Sequence, residues 1–237
     1  VPEVKILLPP SEGKLPGGGG RLRTGAGSFG PALRLARNEV IAALAAADGG
    51  SQALLGVSGR HLDRSLAANR LVVAGRAPTL PAVLRYTGVV HGHAGLHDVP
   101  VAADGVILLS ALMGLVTLDD PVPDYRLKMG ASLPPLGRLS AWWRPRLSPV
   151  LNRRLRGADV VDLLPQEHAA AWEPSPRRYA SLHRVRFRDA DGAAGGHDAK
   201  AAKGLLARHL LTSGEPVADA LASFRHPRFT LQLDGAD

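Results

Sequence analysis

The chain of 237 residues contains no cysteine. That excludes disulfides, thiolate catalysis and cysteine-ligated zinc or iron–sulfur centres. No apolar run reaches the roughly 18 residues that a transmembrane helix needs, so none is expected. No charged N-terminal region followed by an apolar stretch is present, so no signal peptide is visible and a cytoplasmic location is the expectation. Acidic residues are the minority charge: 21 Asp+Glu stand against 29 Lys+Arg, a net +8. That excess favours anionic partners such as nucleic acid, nucleotides or acidic surfaces, although basic soluble proteins are common. What is present is an ordinary apolar fraction of 45%, enough for a sizeable core. No linker and no internal repeat divides the chain, so one domain over 1–237 is expected.

Apolar Val4–Leu8 reads as a buried strand ended by Pro9 and Pro10, which fix φ and lack a donor. Residues 16–30 form a glycine-rich loop. Pro31 suits the first turn of a helix running to Ala47, where Gly49 and Gly50 stop it. A helix from Ser58 to about Asn69, an expected helix over Leu80–Tyr86, a short strand Val106–Leu109 and an extended Tyr125–Met129 follow. Pro145 and Pro149 are expected to break a basic helical region at Ser140–Arg156. Val160–Leu164 is a strand, Glu167–Trp172 a helix, and the alternation of His183, Val185 and Phe187 with arginines marks another strand. A flexible loop at Asp189–Gly196, helices at Lys200–Leu211 and Val217–Phe224 and a strand at Phe229–Leu233 complete the reading. This irregular alternation predicts a mixed α/β (α+β) fold around one mixed sheet.

Lys14 suggests a Walker A loop, but Leu8 replaces its first glycine and Leu15 its Ser/Thr. Gly25, Gly27 and Gly30 spell a dinucleotide fingerprint without the strand that should precede it. His91, His93 and His97 could hold a metal, yet a solvated loop is the better reading, and neither metal nor cofactor is assigned. On a helix, Lys200 and Lys203 share a basic face with His197 just before it, and Gly204 would allow close approach of a phosphate. The plainer alternative is a solvated amphipathic helix. Leu133 to Gly137, followed by Arg138 and Ala141, resembles the hairpin of a helix-hairpin-helix motif, with Pro135 in place of one glycine.

Several segments together resemble one family. They are Leu8-Pro9-Pro10-Ser11-Glu12-Gly13-Lys14, Arg85-Tyr86-Thr87-Gly88, Ser110–Leu115, Asp120 with Tyr125–Gly130, and His197 to Gly204. The chain resembles the YaaA family of peroxide stress proteins, of actinobacterial type, over nearly its full length. The resemblance implies a single mixed α/β domain with a positively charged cleft and a helix-hairpin-helix-like element. It implies a cytoplasmic DNA-binding protein that limits damage when peroxide meets intracellular iron. Leu164, Pro165, His168, Gly196, Ala199 and Met113 depart from the family pattern, which implies a diverged member.

Two functions are expected from different classes. In the first, Lys14, Arg126, Lys128, Gly137, Arg138, His197, Lys200 and Lys203 hold DNA or another anionic, nucleotide-like ligand by its phosphates. In the second, the same cleft turns over a nucleotide or nucleobase-like small molecule. Glu12 is then the acid/base, Lys14 and Arg126 clamp anions, and Ser11 or Tyr125 donates a hydrogen bond. Asp120 joins them, with Tyr86, Thr87 and Ser110 lining the cleft.

Overall fold

A computed structural model describes residues 2–189 and 197–234. The first half carries β1 (Val4–Leu8), β2 (Gly20–Arg21), α1 (Gly30–Ala46), α2 (Gln52–Leu55), α3 (Gly59–Val73), β3 (Pro78–Pro81), α4 (Ala82–Arg85) and α5 (Val89–Ala94). Then come β4 (Val106–Ser110), β5 (Gly114–Thr117), β6 (Pro121–Pro123), β7 (Ser132–Leu133), β8 (Gly137–Arg138) and α6 (Leu139–Arg154). The remainder holds β9 (Asp159–Asp162), α7 (Gln166–Ala169), β10 (Ser181–Arg188), α8 (His197–Thr212), α9 (Val217–Ser223) and β11 (Thr230–Asp234).

The fold is mixed α/β. Its central six-stranded sheet has the order β11-β10-β9-β1-β4-β5, and two smaller sheets, β2-β3-β6 and β7-β8, flank it. β1 runs parallel to both neighbours, with Leu8 opposite Leu108 and Leu7 opposite Asp162. A strand so placed is covered on both faces, which is why Ile6, Leu7 and Leu8 are all fully buried and unalternating. The loops leaving β1, β4 and β9 therefore emerge side by side at one edge, the carboxyl end where open α/β sheets receive ligands.

α6 is one continuous helix, although Pro145 and Pro149 lie inside it. Each interior proline costs about 3 kcal/mol. Leu139, Trp143, Leu147 and Leu151 recur every fourth residue on one face and are fully buried. Burial of such side chains contributes about 1.5–3 kcal/mol each, which outweighs the two interruptions. Trp143 adds a hydrogen bond from Nε1 to Ala111 O at 2.8 Å. Both prolines are exposed, so their rings meet solvent rather than the core.

Three other expectations change. Leu80 belongs to β3, and only Ala82–Arg85 after it is helical. Of the histidine loop, His91 and His93 lie on helix α5 and His97 on the following 3-10 turn Leu96–Asp98, and the three rings part ways. His91 Nε2 donates to Pro9 O (3.0 Å), His93 bonds Val89 O and His97 sits beside Asp98. The expected helix-hairpin-helix element is instead the β7-β8 hairpin entering α6, with no helix over 124–131 before it. The expectations for Gly196, for the His197 side chain and for most of the 189–196 loop lie outside the described residues.

Two arginines hold the long connections. Arg37, fully buried on α1, donates to the carbonyls of Met113, Thr24, Ala26 and Leu115. Arg85, also fully buried, donates to the carbonyls of Val122, Leu15, Gly17 and Pro78. Neither forms an ion pair with a carboxylate among the described residues. Loss of hydration lowers the Arg37 pKa to about 10, although nearby Asp120 opposes the change.

Candidate functional site

The β1 exit is shaped by its pairing with the Arg85–Gly88 segment. Thr87 N donates to Gly13 O (3.1 Å) and Leu15 N to Arg85 O (2.9 Å), with a bridge between Lys14 and Tyr86. Two segments 70 residues apart in sequence thus form one wall. Gly88 makes the contact possible: a Cβ there would lie 2.1 Å from Ser11 Oγ. Ser11 Oγ is buried and has no hydrogen-bond partner among the described residues.

Lys14 lies against a cavity of about 280 Å³. Its Nζ donates to Ser11 O (2.6 Å) and stands 4.3 Å from the Tyr125 ring centre and 5.5 Å from that of Tyr86. Behind it runs a chain of hydroxyls, with Tyr86 to Tyr125 at 3.3 Å and Tyr125 to Ser110 at 2.7 Å. Ser110 Oγ also accepts from Met113 N (3.0 Å). Burial raises the pKa of both tyrosines. The Lys14 pKa falls to about 7, first because burial disfavours its charge and then because Arg126 repels it, against attraction from Asp124 and Glu12.

The opposite walls come from α2, α3 and α7. Leu55, Val57 and Leu127 supply apolar surface, while His61, Arg64 and Ser65 face in from α3. Asn69 on α3 sets the neighbouring loop by a reciprocal pair: Arg126 N donates to its Oδ1 and its Nδ2 donates to Arg126 O, both at 2.8 Å. Arg126 itself pairs with Asp124, and Lys128 with Glu12 at 3.4 Å. From α7, Glu167 and His168 close the end. His168 is buried, and its Nδ1 has no hydrogen-bond partner among the described residues, Glu167 Oε1 standing 3.7 Å away. Burial first, and the Lys203 charge second, lower its pKa to about 4, so the ring is neutral at pH 7.

Ser11, Glu12, Lys14, Tyr125, Arg126 and Lys128 thus meet at one cavity, with Tyr86 and Ser110 one layer behind. Glu12 is 83% exposed, at the mouth. The other predicted residues lie elsewhere. Asp120 caps the glycine-rich loop, its Oδ1 accepting from Ser28 N (2.8 Å) and its Oδ2 from Thr117 N (2.9 Å). It also fills the space beside Gly27, so that loop is occupied by the protein's own carboxylate. Exposed Thr87, Arg138 and Lys200 and half-buried Gly137 do not line the cavity. Lys203 turns inward to Leu163 O (2.8 Å), near the buried Asp162, so it shares no solvated face with Lys200. Gly204 serves helix packing: a Cβ there would lie 2.3 Å from Val90 O of α5. Sequence reading missed the α3 wall, although His61 and Arg64 lie one helical turn apart on a helix it did predict.

Of the segments that resembled one family, Leu8–Lys14, Arg85–Gly88 and Tyr125–Gly130 build the cavity and its β1 wall. A family model described as "Peroxide stress protein YaaA" matches residues 4–234. The chain belongs to the YaaA family of peroxide stress proteins. Among curated relatives, a UPF0246 protein of Streptomyces coelicolor is 36% identical over 221 residues, covering 88% of this chain and 83% of its own length. A UPF0246 protein of Corynebacterium efficiens is 36% identical over 163 residues, covering 67% and 65%. An uncharacterised protein of Campylobacter jejuni is 26% identical over 136 residues, covering 55% and 53%. Of the residues that the sequence resemblance marked as departures, His168 lines the cavity, whereas buried Leu164 and Ala199 belong to the core around it. Pro165 precedes α7 as its N-cap. No described helix is long and apolar enough to cross a membrane.

Proposed function

We propose that this chain serves the peroxide-stress role named for its family by holding nucleic-acid phosphates at the mouth of the Lys14 cavity, limiting damage to the bound strand. The observation that carries the reading is the charge of the lining: Arg64, Arg126 and Lys128, joined by Lys14 when it is protonated, against Glu12 and Glu167. Phosphate contacts of this kind position a strand without reading its sequence. A labelled duplex is titrated at 50 and 200 mM salt. With two to four phosphate contacts, affinity should fall roughly ten- to a hundredfold, and Lys128→Ala should lower the log–log salt slope by about 0.9. Absence of binding at the lower salt would sink the reading.

A second reading is favoured by the cavity itself. At about 280 Å³ it is near the size of a small-molecule pocket. An enzyme acting on a nucleotide or nucleobase-like compound would use Glu12 as acid/base. Turnover of a nucleoside panel, lost in Glu12→Gln, separates this reading from the first.

A further inference from the structure

We propose that Lys14 is a reactive amine that condenses with an aldehyde carried beside a phosphate, the phosphate being held by the cations at the cavity mouth. The phosphate half of this statement rests on the function proposed above; the amine half stands on its own geometry.

An ammonium has three donors to satisfy. Lys14 Nζ has one hydrogen bond, to Ser11 O, and no ion pair among the described residues. The other described lysines are spent differently. Lys5 is clasped by Glu3 and Asp104, Lys128 pairs with Glu12, and Lys203 bonds the Leu163 carbonyl. Lys200 is exposed and lies away from the cavity. Lys14 alone of these combines a cavity position with the lack of a carboxylate partner. The Tyr125 and Tyr86 rings restrict where its amine can go.

Burial first, and the nearby guanidiniums of Arg126 and Arg85 after it, disfavour a proton on Nζ, against the attraction of Asp124 and Glu12. Desolvation and a neighbouring cation are the means by which lysines become nucleophilic at neutral pH. Arg64 and Lys128 then supply the anion contacts at the same opening.

The step is balanced without any oxidant or metal. The Nζ lone pair attacks the carbonyl carbon, and the C=O oxygen takes up both amine protons and departs as water. A C=N bond replaces the C=O bond, and no atom changes its overall redox level in the pair. Such an aldehyde could come from a small phosphorylated metabolite or from an abasic deoxyribose within a nucleic acid. Both present the same two groups.

The full-length chain is incubated with pyridoxal 5′-phosphate, with pyridoxal, or with a duplex carrying one abasic site, each with a hydride donor that reduces the imine to a stable amine. Peptide mapping then locates the adduct. Lys14 should label at least roughly tenfold faster than Lys200, because burial disfavours the proton on the Lys14 amine and leaves its lone pair available at pH 7. Labelling should be lost in Lys14→Arg, a variant whose fold is checked by its melting curve. Excess inorganic phosphate should slow it. Labelling by the duplex or by pyridoxal 5′-phosphate identifies the source of the aldehyde. Equal labelling of Lys14 and Lys200, or no adduct at Lys14 with any aldehyde, would overturn the amine. Equal labelling of Lys14 by pyridoxal and pyridoxal 5′-phosphate would overturn only the phosphate half. Duplex binding without any adduct would leave the proposed function standing and reject this inference.

Discussion

A methyl group added at Gly88 meets Ser11 Oγ at 2.1 Å and Ser11 Cβ at 3.1 Å, both atoms of one side chain. Overpacking of this kind costs about 1–3 kcal/mol. Gly88→Ala should lower stability by that amount in urea denaturation. Ser11→Gly in the same molecule should recover most of the loss, because it removes both close atoms, and a double-mutant cycle reads the coupling directly. At this scale the sequence was legible where chemistry is local. Ser11, Lys14, Tyr125 and Arg126 were predicted from their own segments and do share the cavity. It was illegible where a partner lies far along the chain. Nothing near Asp120 says that its carboxylate caps Ser28, and nothing near Lys203 says that its amine is drawn to Leu163.

At the scale of the element, α6 is the sharpest case. Its prolines predicted a break, and its buried stripe of Leu139, Trp143, Leu147 and Leu151 overrides them. A tertiary contact decides the outcome, so local propensity could not. Pro145→Ala should therefore stabilise the protein. Restoring a helical donor and relieving the ring clash gains up to about 3 kcal/mol, offset by about 1 kcal/mol from a freer unfolded chain. A rise in the denaturation midpoint with unchanged m-value is the expected result. A fall would mean that the bend the prolines impose is needed for packing. β1, α1 and β10 were legible because periodicity and flanking breakers agree there. β5 was not, because Gly114–Thr117 is too short for a pattern, and its pairing with β4 is what makes it a strand.

For the whole molecule, withdrawn charges set the response to pH. Lys14 has a folded pKa of about 7 against an ordinary 10.5. His91 and His168 have folded values of about 4 against 6.5. In each window the unfolded chain binds more protons, so stability rises with pH and falls as pH drops. Two declines are expected on acidification, one from about 10.5 to about 7 and one from 6.5 to about 4. Urea midpoints at pH 10, 7, 5 and 4 would trace them. Lys14→Met should flatten part of the first, which the buried Lys203 shares, and His168→Gln part of the second; unchanged slopes would contradict the burial argument. The two arginines at the loop bases have a different consequence. A guanidinium bound only to main-chain oxygens is blind to which side chains its loop carries. Residues 15–17 and 24–26 are therefore moored by features that every amino acid shares. Gly17, at φ 76°, still favours glycine, but elsewhere in the two segments side chains can change while the course of the chain stays fixed, so these loops can acquire new surface chemistry without being rebuilt.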